Sequence, residues 1–89
     1  MNNYQDLYSI FGEWNDKFYL ETYKSHKEAY IRYAELSFKM LKQAKKEWKK
    51  NPNLIPQFYE RSTNGYNKSA HCRIGNVYVE KIPDVHEID

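Results

Sequence analysis

Residues 25–50, SHKEAYIRYAELSFKMLKQAKKEWKK, decide how this chain is read, because they form one uninterrupted helical pattern with more apolar surface than a single buried face requires. At about 100° per residue, Ala29, Tyr30, Tyr33, Ser37, Met40, Leu41, Ala44 and Trp48 gather on one side. Ile31 and Phe38 fall well outside that side, next to Ala34 and Lys45. A surface helix needs an apolar stripe of roughly 100°, and this one spreads over about 200°. A chain of 89 residues has little left with which to cover so wide an arc, so the excess points to a partner surface. The alternative is that the loop 62–69 or the N-terminal segment folds over the Ile31–Phe38 ridge. Ser25 is the expected N-cap, and Glu28 three residues later completes a Ser-x-x-Glu capping box. Lysines crowd the last three turns, where they complement the negative end of the helix dipole, and Asn51-Pro52-Asn53 stops the helix near Lys50. A helix of 25 residues is about 37 Å long, more than a small sheet can cover.

The segment before the helix has two readings. Tyr4, Leu7, Tyr8, Phe11 and Trp14 fit helical spacing, whereas Tyr8, Ile10, Gly12 and Trp14, and then Phe18, Leu20 and Thr22, alternate with period two. The hairpin is preferred, with 7–13 paired to 17–23 across Trp14-Asn15-Asp16-Lys17, because Asn and Asp tolerate left-handed backbone and Gly12 in a helix would cost about 1 kcal/mol. In that hairpin Phe18, Leu20 and Thr22 are expected to face the helix, leaving Tyr19, Glu21 and Tyr23 as an exposed row. After the helix, Gln57 to Arg61 reads as a strand led by Pro56, and Ser62 to Ser69 as a polar loop. Residues 70–74 and 77–82 read as a second hairpin joined by Gly75-Asn76. Residues 1–5 read as a loose start and Asp84 to Asp89 as an acidic tail. The order is ββαβββ, a single α+β domain over 1–89 with a small antiparallel sheet against one long helix.

Composition narrows the function classes. Aromatic residues make up 17% of the chain, including nine tyrosines, which argues against disorder despite the low hydropathy. There is no apolar run long enough to span a bilayer, and Met1 to Asp6 has no secretory pattern, so an intracellular protein without a membrane partner is expected. One cysteine, Cys72, excludes an internal disulfide and fits a reducing compartment. The net charge of +2 conceals a strong asymmetry: 1–23 sum to −3, 24–50 to +6, 51–73 to +2 and 74–89 to −3.

His71 and Cys72 are adjacent on a strand and therefore point to opposite faces, so they cannot share a proton directly. His26 sits at the helix start and His86 in the tail; with Cys72 they have no zinc spacing. No paired acid and base and no phosphate loop is present, so neither a catalytic residue, a cofactor nor a metal is expected. The reading is a non-enzymatic protein-binding module that occupies a partner's surface. Ile31, Phe38, Leu41 and Trp48 serve as apolar anchors, and Lys42, Lys45 and Lys49 steer toward an acidic or phosphate-lined partner. The first alternative is a nucleic-acid-binding accessory protein using the lysine-rich helix; scarcity of arginine there weighs against it, Arg32 being the one in the helix. The second is a homodimer in which the helix pairs with its twin. The richness in Lys, Asn, Tyr and Ile matches small proteins of AT-rich genomes, including phages and mobile elements, where inhibitors and accessory proteins of this size attach to larger partners.

Overall fold

The computed structural model describes residues 7–63 and 65–82, so the expectations for the loose start, the acidic tail and His86 lie outside the described residues. The chain is α+β, with five antiparallel strands against one helix in the expected ββαβββ order. The strands are β1 (Leu7–Trp14), β2 (Lys17–Tyr23), β3 (Tyr59–Ser62), β4 (Lys68–Cys72) and β5 (Gly75–Ile82), and α1 spans His26–Lys50. Sheet order is β2-β1-β5-β4-β3, which puts β5 at the centre between β1 and β4 and makes β2 and β3 the edges. The helix carries the chain from one edge to the other, across one face of the sheet.

The first hairpin forms because its turn residues accept the geometry that a two-residue link demands. Asn15 (φ 54°) and Asp16 (φ 62°) are both left-handed, the signature of a type I′ turn, and they close the pair Trp14–Lys17. Ser25 then caps α1, its hydroxyl accepting from the Glu28 N–H at 3.3 Å. At the far end the Asn51 N–H reaches the Glu47 carbonyl at 2.9 Å, and Leu54 turns back onto the Asn51 carbonyl at 2.9 Å.

Ile10, Val77 and Val79 from the sheet meet Leu36 and Met40 from α1, all essentially sealed, with Tyr8, Trp14, Ala29, Tyr33 and Ala70 completing the core. Each such large side chain contributes about 1.5–3 kcal/mol of burial. Leu36 belongs to the buried side of α1, although the sequence reading did not place it there, and Trp48 is 43% exposed rather than buried with that side.

Several expectations are corrected. β2 faces the other way: Tyr19 and Tyr23 pack against the core, Tyr19 stacks on Trp14 at 4.2 Å, and Glu21 meets Arg32 of the helix, while Phe18 and Leu20 are 70% and 64% exposed on the opposite side. The second hairpin turns at Arg73-Ile74 rather than Gly75-Asn76, with Cys72 paired to Gly75. Gly75 has no positive φ; it is needed because a Cβ there would collide with the Glu13 carbonyl oxygen and with Trp14 on the neighbouring strand. Finally, Gln57 takes a left-handed φ of 51° and lies outside the strand, which begins at Tyr59 and runs to Ser62. Pro56 is buried before that bend, its carbonyl accepting from the Arg73 N–H at 2.9 Å, and β4 begins at Lys68, inside the expected loop.

Candidate contact surface on the outer side of the helix

With one side of α1 consumed by the sheet, the other keeps its apolar residues in the open. Ile31 is 52% and Phe38 67% exposed, and Ala34 between them is exposed as well. The described residues of the 62–69 loop do not cover this ridge, and the N-terminal segment lies outside the described residues. The loop docks instead on the start of α1, where the Tyr30 hydroxyl donates to the Gly65 carbonyl at 3.2 Å and to the Tyr66 carbonyl, and where His26 packs among Tyr8, Tyr30 and Tyr66. Lys68 and Lys81 lie over the Tyr30 and Tyr66 rings at 5.4 and 4.2 Å.

Beside the ridge runs a groove of about 250 Å³ bounded by Tyr33, Ala34, Ser37, Phe38, Leu41, Phe58 and Glu60. Its one wall is α1; its other is the chain that follows the Gln57 bend, which sets Phe58 against the core and Glu60 at the groove's rim. Tyr33 closes the floor. Its side chain is 5% exposed, and its hydroxyl has no hydrogen-bond partner among the described residues. Burial, aided by the Glu60 carboxylate, pushes this phenol up to about 12, so it stays protonated and remains a donor at any physiological pH. The neighbouring Ser37 hydroxyl is spent on the Tyr33 carbonyl within the helix.

The structure thus joins two of the expected anchors, Phe38 and Leu41, in one groove and places Ile31 on the ridge beyond it. Trp48 lies farther along the helix, outside the groove lining. Lys42, Lys45 and Lys49 are all exposed, and at helical spacing they continue the Ile31–Phe38 side. Lys39, Lys46 and Lys50 fall on a different side, in a shallow surface shared with Lys42, Gln43 and Glu47. Glu47 is bound there by Arg73 at 2.9 Å, which ties the end of α1 to the β4–β5 turn. Tyr33, Phe58 and Glu60 were not anticipated. Helical spacing placed Tyr33 in the core, and nothing in the sequence brings Phe58 and Glu60 to the 33–41 turns.

The chemistry-bearing residues are otherwise dispersed. His71 lies on the sheet face away from α1, bonded to Asn76 and Ser69, while Cys72 packs against the core from the other side of β4. No cluster of three metal-ligating side chains occurs among the described residues, nor is any described helix long and apolar enough to cross a membrane. No family model, curated protein or solved structure matches this chain.

Proposed function

We infer that this chain is a non-enzymatic binding module that acts by covering part of another protein, with the outer side of α1 as the contact. The observation that carries the reading is the buried, unpartnered Tyr33 hydroxyl on the floor of an apolar groove flanked by the bare Phe38 and Ile31. Leaving a buried hydroxyl without a partner costs about 1–3 kcal/mol, a cost that an acceptor arriving with a partner would remove. The complementary surface is an apolar side chain that enters between Phe38 and Phe58, a carbonyl that accepts from Tyr33, and acidic groups facing Lys42, Lys45 and Lys49. Ile31, Phe38 and Leu41 supply apolar contact, with Trp48 extending it toward the helix end.

The test is capture of partners from nuclease-treated extract of the native cell by wild-type protein, Phe38→Asp and Tyr33→Phe. A protein retained by the wild type and lost with both variants, whose circular dichroism is unchanged, supports the reading; a captured set indifferent to both substitutions refutes it. A second reading rests on the Lys39, Lys46 and Lys50 side, where phosphates could be neutralised. Glu47 and its Arg73 pair interrupt that surface. Titration with single- and double-stranded nucleic acid separates the two: tight binding that collapses with added salt and ignores Phe38→Asp favours the second.

A further inference from the structure

We propose that β2 is a self-pairing edge through which two copies of this chain join their sheets. The two edges are built differently. β3 is only four residues long, so it offers little ladder to a newcomer. β2 runs seven residues in unbroken register with β1, from Tyr8↔Tyr23 to Trp14↔Lys17, with no proline and no bulge. No described strand lies on its outer side, and the open Phe18 and Leu20 sit on it at 70% and 64% exposure. A long, regular edge with open apolar side chains is a template for another strand.

The occupant is set by the strand's own pattern. Trp14 and Lys17 flank a two-residue turn, so they form a hydrogen-bonded pair, and bonding toward β1 then recurs at Tyr19, Glu21 and Tyr23. The N–H and C=O groups of Phe18, Leu20 and Thr22 therefore point outward. A twofold axis through Tyr19 brings these free groups into register with their counterparts. It sets Phe18 opposite Leu20 of the second copy, and Lys17 opposite its Glu21, each twice. Glu21 keeps 28% of its side chain exposed beside Arg32, so it can take a further donor. Opposite charges and matched apolar groups placed symmetrically about one residue are what an isologous contact requires. Shifting the axis to Leu20 sets Lys17 against Tyr23 and Tyr19 against Glu21, and the charge match is gone.

The inference is independent of the contact proposed for α1. Sedimentation equilibrium at micromolar concentration is expected to give twice the monomer mass for the wild type and for Phe38→Asp, and the monomer mass for Leu20→Lys and Phe18→Lys. In a Cys72→Ser background, mild oxidation is expected to cross-link a mixture of Phe18→Cys and Leu20→Cys proteins, and to leave either alone uncoupled. A wild type that stays monomeric overturns the proposal. So does a dimer that persists in the lysine variants, or one that Phe38→Asp dissolves. Self-linking of Leu20→Cys overturns the Tyr19-centred register.

Discussion

The two long sides of α1 use similar side chains to opposite ends. Leu36 and Met40 are sealed against the sheet, whereas Ile31 and Phe38 stand in water. The sheet explains the division. Its inner strands present Ile10, Val77 and Val79 to one side of the helix, and among the described residues the single sheet layer does not reach the other side. The sealed side holds the fold, so the bare side is free to be selected for something else. The difference also shows in polar groups. On the sealed side, where the helix meets β2, Arg32 grips Glu21 with two bonds of 2.8 and 2.9 Å; at the border of the bare side, the Tyr33 hydroxyl has no partner among the described residues.

That division is open to direct attack. Met40→Ala or Leu36→Ala is expected to cost about 2–5 kcal/mol, read by urea unfolding, because each leaves a cavity between helix and sheet. Removing the Ser25 cap by Ser25→Ala is expected to cost about 1 kcal/mol, with the loss visible as fraying of the first helical turn by amide exchange. Tyr33→Phe tests the border between the two sides. It is expected to leave stability unchanged or raise it by up to about 1 kcal/mol, since the hydroxyl it deletes has no partner. Mildest of all, Phe38→Ala and Ile31→Ala are each expected to shift stability by no more than about 0.5 kcal/mol. Were they to cost as much as Met40→Ala, the bare side would be part of the core and the contrast would fail.

pH gives a second probe with the sign fixed at each end. The guanidinium of Arg32, then the Tyr23 hydroxyl, hold the Glu21 carboxyl below its ordinary value. Its contribution is complete above the unfolded value and declines as pH falls through the lowered one, so Glu21→Gln is expected to flatten the acid limb of the stability profile. Tyr33 behaves in the opposite direction. Burial pushes its phenol up to about 12, so its neutral form favours the fold below the ordinary tyrosine value and that preference disappears as pH climbs through the raised one. Ultraviolet titration of Tyr33→Phe against wild type is expected to lose one late-ionising tyrosine.

Local signals in the chain were legible where one residue settles one geometry. Asn15-Asp16 fixed the first turn, Ser25 with Glu28 the start of α1, and Asn51-Pro52 its end. Alternation could not settle which side of β2 faces inward, because both of its alternate sets are apolar: Phe18 and Leu20 on one, Tyr19 and Tyr23 on the other. The choice is made by contacts distant in sequence, the Trp14 ring under Tyr19 and Arg32 beside Glu21. Gly75 misled for a similar reason. Glycine serves turns and close approaches alike, and here the demand comes from Trp14 on the adjacent strand. The excess apolar arc of α1 was readable from spacing, and Ile31 and Phe38 are indeed uncovered. The groove was not, since its far wall depends on a left-handed Gln57 that no sequence preference announces.

Covering only one face of the sheet has a geometric consequence. A twofold axis normal to a sheet rotates a copy within the plane and never inverts it, so a β2-joined pair carries both helices above the same surface, with their bare ridges pointing one way. Such a pair would grip a repeating or dimeric target with two hands, and once the first has closed, the second acts at an effective concentration far above that of free protein.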